Sequence, residues 1–403
     1  MEKLFEIQAL LLKQYEKNTI YQRAIFKTFQ FDNRLNCIIG ARGIGKTTFL
    51  LNYIAKNNLE NTALYVSADN MFFLNSTLCD VVDTLYKETD IRLLCIDEIH
   101  KQEDWQQQLK NITDTYLDIK IIFTGSSQID LIHSQYDLSR RVTLYFLHGL
   151  SFREYLEIQY QHEYPQFTMI NILENHQKIT TDLNEINIIK DFHRYLQVGY
   201  YPFFNIFSLD TEKFQAIHAI MQKVIYEDIA LFHALKTGTL RTIEKIYKFV
   251  LSSAPGELNA YKLSNNLQKD FDSVSNYLDY LKQAGLIRFL HSNKSGQAYL
   301  RNPEKMYPEN TNLLFAAFMN VSSDNLIEKA RETFALNQMQ NAGIDVYFTE
   351  QGDFDWLGYS LEVGGKNKTS AQLKNTKNGY ILADGILTGL GRRVPLYLLG
   401  FLK

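Results

Sequence analysis

A glycine-rich run near the N-terminus, residues 40–48, has the residue types and spacing that bind a phosphate chain. It reads GARGIGKTT, which matches GxxxxGK[ST] with Gly40, Gly45, Lys46 and Thr47 at the fixed positions. Glycines let backbone N–H groups turn toward phosphate oxygens, the lysine reaches the β- and γ-phosphates, and the hydroxyl ligates Mg²⁺. The residues that we expect to contact ATP are Gly40, Arg42, Gly43, Ile44, Gly45, Lys46, Thr47 and Thr48.

The segments that flank this run are those that a phosphate loop requires. Residues 35–39 form a short apolar run, as expected of a buried parallel strand, and residues 49–55 have helical character. A helix that begins at the loop adds the positive end of its dipole to the phosphate site. A chance glycine-rich turn is the alternative, and the strand–loop–helix context disfavours it.

A pair of carboxylates, Asp97 and Glu98, ends a second apolar run at 93–96. Next to a phosphate loop, the first carboxylate holds Mg²⁺ through water and the second polarises the attacking water as a general base. Acids end many strands, so the pair is a weak signal alone and a strong one together with Lys46. The combination predicts Mg²⁺-dependent ATP hydrolysis, with Thr47 and Asp97 binding the metal and with Lys46 and Glu98 as catalytic residues.

Three further side chains are candidates for contact with the γ-phosphate. Thr124 lies near the end of the run 119–125 and could sense the phosphate or position water, with a plain turn residue as the alternative. Arg140 and Arg141 could stabilise charge in the transition state, also from a neighbouring subunit of a ring or dimer, or could only solvate a surface loop. At His100, which follows the acidic pair, we expect a packed or capping residue without a chemical role.

Five strand-like runs alternate with helical stretches over the first 150 residues, at 35–40, 62–68, 92–97, 119–125 and 142–147. This alternation predicts an α/β fold with a parallel sheet covered on both faces. Adjacent acids mark the branch of P-loop ATPases that has an extra strand between the phosphate-loop strand and the acidic strand. We expect the motor core with a helical extension over residues 1–235, followed by smaller domains at 236–300 and 301–403.

The composition excludes several classes of protein. Of the 403 residues, 45% are hydrophobic and 22% charged, so the chain can build sizeable cores and nothing indicates disorder. The net charge of -3 gives no global basic field, so a DNA partner would need a local patch. The three cysteines show neither a disulfide framework nor metal-type spacing. With no apolar stretch of membrane-spanning length and no signal peptide, we expect a cytoplasmic protein without a membrane partner.

A compact three-helix pattern within residues 241–290, followed by a strand from 286, predicts a winged helix–turn–helix. We expect Asp272 to cap the last helix at its N-terminus and Gly285 to end it. The residues at helical spacing that should face the core are Val274, Tyr277, Leu278 and Leu281. In a DNA reader this helix enters the major groove, but its outward side has few cations and Asp279 would repel phosphate. A packing or protein-interaction module is therefore the alternative.

Four motifs carry a resemblance to a known family, namely GARGIGKTTFL, CIDEIHKQEDWQQQLK, IIFTGSSQIDLIHS and HGLSFREYL, in that order. With Gly199-Tyr200-Tyr201-Pro202 and Gly364-Gly365-Lys366, they resemble prokaryotic AAA-type ATPases of the archaeal-ATPase-like branch over most of the chain. The C-terminal half of those proteins is an uncharacterised domain related to restriction endonucleases. The resemblance implies nucleotide binding by Lys46 and Thr47, magnesium and water at Asp97 and Glu98, and a functional arginine at Arg140 or Arg141.

The C-terminal segment contains acidic residues in a pattern similar to the metal site of restriction-type nucleases. Asp355 and Glu362 lie on two expected neighbouring strands and could hold Mg²⁺, with Lys366 to orient hydroxide. The nuclease motif places its lysine two residues after the glutamate, whereas Lys366 comes four residues after Glu362. An active nuclease is therefore disfavoured. A nuclease-like scaffold that has lost cleavage, or that only binds a partner or nucleic acid, is favoured, and a different fold is the remaining alternative. We expect Glu332 to be a solvated helix acid, and Gln372 could support the site.

Two tasks fit this sequence. In the first, ATP hydrolysis drives or regulates a process that involves nucleic acid. In the second, the protein is a nucleotide-dependent switch whose C-terminal half binds protein partners. The helix–turn–helix and the nuclease-like segment favour the first task by analogy of fold, and the mild negative charge favours the second.

Overall fold

A computed structural model describes residues 1–17, 21–125, 138, 141–183, 187–254, 259–293, 303–319, 323–369, 373 and 376–403. The chain divides into two compact units, residues 1–148 and 149–403. The domain limits expected at 235 and 300 stay predictions. Within the described ranges, every helix is too short or too polar to span a bilayer.

The first unit is built on a five-stranded sheet with the order β2-β3-β4-β1-β5, in which all neighbouring strands are parallel. Its strands are β1 (Leu35–Ile39), β2 (Ala63–Ser67), β3 (Leu93–Asp97), β4 (Lys120–Gly125) and β5 (Val142–Phe146). Its α-helices are α1 (Glu2–Lys17), α2 (Lys46–Lys56), α3 (Leu78–Glu88) and α4 (Trp105–Thr115). The expected α/β fold with a parallel sheet is confirmed, and β4 is the strand that lies between β1 and β3.

The inner strands of this sheet are apolar because residues on both of its faces are covered. All five residues of β1 are buried, as are the last four of β3. At the β2 edge, the Gln8 amide of α1 takes the place of a neighbouring strand. It donates to the carbonyl oxygens of Glu60 (3.2 Å) and Ala63 (3.1 Å) and accepts from the Tyr65 N–H (2.5 Å). This contact covers backbone groups that would otherwise form an open sheet edge.

The second unit is mainly helical and contains two small sheets. Its α-helices are α5 (Phe152–Tyr160), α6 (Met169–Asp182), α7 (Ile188–Arg194), α8 (Asp210–Lys223), α9 (Ala230–His233), α10 (Thr237–Ser252), α11 (Ala260–Leu267), α12 (Phe271–Gln283), α13 (Thr311–Ala317) and α14 (Ser323–Asn341). Strands β6 (Ile287–Leu290) and β7 (Lys305–Pro308) pair antiparallel. The other sheet has the order β11-β10-β9-β8, from β8 (Phe354–Trp356), β9 (Tyr359–Gly364), β10 (Gly379–Ala383) and β11 (Arg393–Pro395).

The expected break in the helices near residue 200 has a backbone cause. A π-helical turn spans Tyr195–Gly199, and a short 3₁₀ turn follows at Pro202–Asn205. The buried Asn312 side chain binds the backbone groups that this irregular segment leaves over. Its amide donates to the carbonyl oxygens of Tyr195 (3.0 Å) and Leu196 (2.9 Å), and its oxygen accepts from the Tyr200 N–H (2.8 Å).

Helix α12 differs from the expectation at its N-terminus. Its cap is Asp270, whose side chain accepts from the Ser273 N–H at 2.7 Å, so Asp272 lies inside the first turn and the expected cap at Asp272 is wrong. An extended residue that bonds the N–H three positions later is the geometry of a helix cap. Gly285 follows the helix with φ +70°, and the Leu286 N–H donates to the carbonyl oxygen of Leu281 (2.9 Å), which confirms the expected helix end.

Candidate functional site

The glycine-rich loop turns directly into α2. Gly43 and Gly45 adopt positive φ values of 84° and 93°, in the left-handed region where a side chain is strained. Gly40 is required for space, because a Cβ atom there would lie 2.2 Å from Cδ1 of Ile44 and 2.3 Å from the carbonyl oxygen of Leu147. The loop therefore has the backbone freedom and close packing of a phosphate cradle, and the dipole of α2 begins at it.

Lys46 is the first residue of α2, and its side chain folds back over the loop. The residue is only 5% exposed, and Nζ donates to the carbonyl oxygens of Gly40 (2.8 Å) and Ala41 (3.1 Å). The amine therefore lies inside the curve of the loop, where the β- and γ-phosphates of a nucleotide would enter. Among the other expected contacts, Ile44 is buried, Arg42 is half-buried and Thr47 is exposed.

The Asp97 carboxylate, at the carboxyl end of β3, gathers hydroxyl groups from three elements. The Thr47 hydroxyl donates to Oδ2 at 2.5 Å, the Thr124 hydroxyl donates to Oδ1, and the Tyr65 hydroxyl donates to Oδ2 at 3.1 Å. Parallel strands end at one edge of a sheet, which is why β2, β3 and β4 deliver these groups to the loop that follows β1. Sequence reasoning missed Tyr65, since nothing in its local pattern distinguishes it from a buried strand residue.

Oxygen atoms from Thr47 and Asp97 lie next to each other and suit a hard cation such as Mg²⁺. No group of three or more His, Cys, Asp or Glu side chains among the described residues is arranged to hold a metal ion. A magnesium ion that accompanies a nucleotide does not need one, because waters and phosphate oxygens supply its other ligands. The two residues present therefore fit the expected magnesium at ATP.

Glu98 follows Asp97 in a left-handed backbone conformation, with φ 54° and ψ 46°. Its N–H donates to the Thr124 hydroxyl at 3.1 Å, and its side chain is 25% exposed. The Thr124 hydroxyl thus bridges the two adjacent acids, because it accepts from the Glu98 N–H and donates to the Asp97 carboxylate. The Nε2 atom of His100 lies 3.4 Å from Oε2 of Glu98.

Comparison with known protein families agrees with the prediction of an AAA-type ATPase domain in the first unit. Residues 32–156 match the family described as AAA domain. The first unit holds most of this match, and we refer to it below as the AAA domain. Residues 189–324 match a second family, described as a domain of unknown function, DUF8612, so the expected restriction-endonuclease relationship has no support from a family match.

Similar proteins add little about the task of the AAA domain. The "Uncharacterized protein MJ1637" of Methanocaldococcus jannaschii is 27% identical over an alignment of 420 residues. The alignment covers 94% of this chain and 87% of that protein. The Hsp104–ADP complex of S. cerevisiae aligns at 16% identity over 66% of this chain and 40% of that chain, with a TM-score of 0.32. AMPPCP-bound DnaA from Aquifex aeolicus aligns at 16% identity over 70% and 88%, with a TM-score of 0.25. Structural similarity this low carries no inference about substrates or partners.

Arg141 lies at the edge of the AAA domain sheet opposite to the phosphate loop. Its guanidinium contacts the Asp114 carboxylate and, at 3.3 Å, the Thr113 hydroxyl. Arg141 precedes β5 whereas the loop follows β1, and a five-residue strand separates these edges by about 16 Å. Arg141 therefore does not reach the phosphates of a nucleotide bound to its own chain. The expected contact of Arg141 with the γ-phosphate is wrong for a single chain. Its action from a neighbouring subunit stays a prediction, and Arg140 lies outside the described residues.

In the second unit, Glu362 lies beside Asp353 and not beside Asp355. The antiparallel pairing of β8 with β9 puts Asp355 opposite Ser360. Asp353 lies two residues earlier, where its carboxylate accepts from the N–H of Val363 at 2.9 Å. Side chains two residues apart share a face of a strand, so the register of the pair, which the sequence does not reveal, decides which aspartate meets Glu362. The expected partnership of Asp355 with Glu362 is therefore wrong.

The lysine that reaches Glu362 is Lys368, at 2.6 Å, and not Lys366. The stem of Lys368 packs on Gly364, where a Cβ atom would lie 2.6 Å from it. A second lysine, Lys305, lies 2.9 Å from Asp353 and 3.5 Å from Glu332. Glu332 is therefore a partly buried member of this site and not the solvated helix acid expected from the sequence. We call this set the acid–lysine cluster, formed by Lys305, Glu332, Asp353, Glu362 and Lys368.

Electrostatics in the acid–lysine cluster favour neutral or paired carboxyl groups. Burial, with the nearby charge of Asp353, raises the pKa of Glu332 to about 7. Burial also raises the pKa of Glu362, against the opposing effect of Lys368. Two ammonium groups already neutralise most of the remaining charge, so the magnesium expected at Asp355 and Glu362 does not fit this arrangement. Gln372, which could support that site, lies outside the described residues.

Proposed function

We propose that the AAA domain binds ATP with Mg²⁺ and hydrolyses its γ-phosphate bond. The observation that carries this proposal is the shared position of Lys46, Thr47, Asp97 and Thr124 at one edge of the sheet, with Glu98 next to them. These are the groups that phosphoryl transfer to water needs, because its catalysis consists mainly of positioning and of charge stabilisation.

Each of these residues has a separate task in the proposed reaction. The loop amides and Lys46 hold the phosphates, and Thr47 and Asp97 hold the metal. Magnesium, when bound, neutralises charge on the phosphate oxygens. Glu98 accepts the proton of the attacking water as that water approaches phosphorus. The Thr124 hydroxyl fixes Asp97 relative to Glu98, so that metal and water are held in one geometry.

Steady-state ATP hydrolysis with two single variants tests this proposal. Lys46→Ala should lose nucleotide binding, because the phosphates lose their ammonium contact. Glu98→Gln should bind nucleotide as the parent does and hydrolyse it at least about a hundredfold more slowly, since an amide cannot accept the proton. Glu103→Gln is the matched control, because Glu103 is an exposed acid of the same segment. A Glu98→Gln variant that hydrolyses ATP at the parental rate would falsify the role of Glu98.

We further propose that hydrolysis drives or regulates a nucleic-acid-associated process. The order of three helices, α10 to α12, followed by the two-stranded sheet β6–β7 supports a winged helix–turn–helix in the second unit. Two exposed lysines, Lys262 and Lys269, lie on and just after α11, although the exposed Asp270 and Asp272 offset their charge. This charge balance supports the alternative, a nucleotide-dependent switch that binds a protein partner through the same surface.

The same hydrolysis assay separates the two tasks. Single-stranded, duplex and forked DNA are added in turn, at low and at moderate salt. Several-fold stimulation by one form, weakening as salt rises, is the result expected for a nucleic-acid process, because bound phosphates release counterions. A rate that no DNA form changes would reject that process in favour of the protein-binding switch.

A further inference from the structure

His100 is a buried histidine whose ring lies against the proposed general base. It belongs to the 3₁₀ turn Ile99–Lys101 that follows Glu98, and its side chain is only 4% exposed. The left-handed conformation of Glu98 turns the chain sharply at the end of β3, so that the side chains of residues 98 and 100 meet. Their Nε2 and Oε2 atoms are 3.4 Å apart, which is long for a hydrogen bond, although catalytic contacts often tighten only in the substrate complex.

The surroundings of His100 keep its imidazole neutral at physiological pH. Burial lowers its pKa to about 4, and the positive charges of Lys101, Arg42 and Lys46 act in the same direction. The negative charge of Asp69, just beyond the end of β2, acts in the opposite direction and is outweighed. These groups come from the phosphate loop, from the neighbouring strand and from the turn itself. The ring therefore faces the Glu98 carboxylate as a neutral side chain.

We propose that His100 is a positioning residue that holds the Glu98 carboxylate, through its Nε2–H, in the orientation needed to receive a proton from water. This inference rests on the proposed ATP hydrolysis and adds to it a residue that does not itself touch the nucleotide. It assigns a task to the third residue of the segment Glu98-Ile99-His100, for which the sequence indicated only packing.

A neutral donor suits this task better than a cation would. An imidazolium or an ammonium at the same distance would stabilise the charged carboxylate strongly and make it a weaker base. A neutral N–H restricts the rotation of the carboxylate at a smaller cost to its basicity. The nearby positive charges of Arg42 and Lys46 thus have two effects, because they attract phosphate and also add to the effect of burial in keeping the imidazole neutral.

Three variants test the inference, with hydrolysis and nucleotide affinity measured separately. His100→Leu removes the donor and should lower kcat by about ten- to a hundredfold, the usual effect of losing a hydrogen bond to a charged group. Its KM and its Kd for a fluorescent ATP analogue should stay within about twofold of the parent. His100→Gln should recover most of kcat, because its amide nitrogen lies four bonds from Cα, as Nε2 does. His162→Leu, at an exposed histidine, is the matched control.

Adding His100→Leu to Glu98→Gln completes the test, because a residue that acts only through Glu98 has nothing to position there. Single-turnover rates of Glu98→Gln with and without His100→Leu should therefore be equal. A parental kcat in His100→Leu would overturn the inference, and so would a further tenfold loss of the single-turnover rate in the double variant. Equal losses of kcat and of nucleotide affinity in His100→Leu and His100→Gln would overturn it as well. A wild-type rate no higher than that of Lys46→Ala would instead refute the proposed hydrolysis itself.

Discussion

Replacing Glu332 with glutamine should remove a pH-dependent loss of folding stability in the second unit. Glu332 lies in the acid–lysine cluster, where Lys305 is 3.5 Å away and the Tyr307 hydroxyl donates to its carboxylate at 2.9 Å. Burial, together with the charge of Asp353, raises the pKa of Glu332 from 4.5 to about 7. A glutamine has nearly the same shape and can still accept from Tyr307, so the substitution removes the titration and preserves the packing.

The sign and the size of the effect follow from linkage between protonation and folding. Between pH 4.5 and about 7 the folded protein keeps a proton on Glu332 that the unfolded chain releases. Stability is therefore greatest below the unfolded pKa and falls as the pH rises through the folded pKa. At about 1.36 kcal/mol per pH unit, the loss is about 3 kcal/mol once the pH exceeds 7. The difference in the free energy of unfolding between Glu332→Gln and the wild type should therefore rise by about 3 kcal/mol from pH 4.5 to pH 8.

Denaturant unfolding at several pH values, followed by a signal from the second unit, measures this gain. The difference between variant and wild type is the informative quantity, because the titration of groups that do not interact with Glu332 cancels in it. Asp355→Asn is the matched control, since Asp355 lies outside the cluster, and in this variant the wild-type fall in stability should persist. If the difference between Glu332→Gln and wild type is the same at pH 5 and pH 8, the cluster does not hold the proton and the reasoning fails.

Two further substitutions test packing that the structure makes explicit. Gly40→Ala would put a Cβ atom 2.2 Å from Ile44 and 2.3 Å from the carbonyl oxygen of Leu147, so the loop must shift. The affinity for a fluorescent ATP analogue should therefore fall at least about tenfold, while the circular dichroism spectrum stays unchanged. Asn312→Ala would leave three buried backbone groups in and beside the π-helical turn without their partner, so the free energy of unfolding should fall by about 3 kcal/mol or more in denaturant titrations. Parental values in either case would show that the surrounding chain relaxes around the change.

The sequence was most informative where structure and chemistry are local. The phosphate loop needs glycines, a lysine and a threonine within nine residues, and the alternating apolar runs predict all five strands of the first sheet. Contacts across long separations were not predictable in this way. The hydroxyl of Tyr65 reaches Asp97 only because β2 lies next to β3, and Asp353 replaces Asp355 because of one strand register. A register shift of this kind leaves the pattern of apolar residues unchanged, so periodicity alone cannot detect it.

The partners of a carboxylate explain why one acidic site of this chain suits a metal and the other does not. Three hydroxyl groups, from Thr47, Thr124 and Tyr65, donate to Asp97. A hydroxyl can rotate and present a lone pair, so a cation that approaches Asp97 can gain Thr47 as a ligand. In the acid–lysine cluster, Lys305 and Lys368 contribute ammonium groups, which have no lone pair and repel a cation. A divalent ion would have to displace Lys305 or Lys368 before it could bind there, so the ATP and magnesium chemistry that we propose belongs to the first unit.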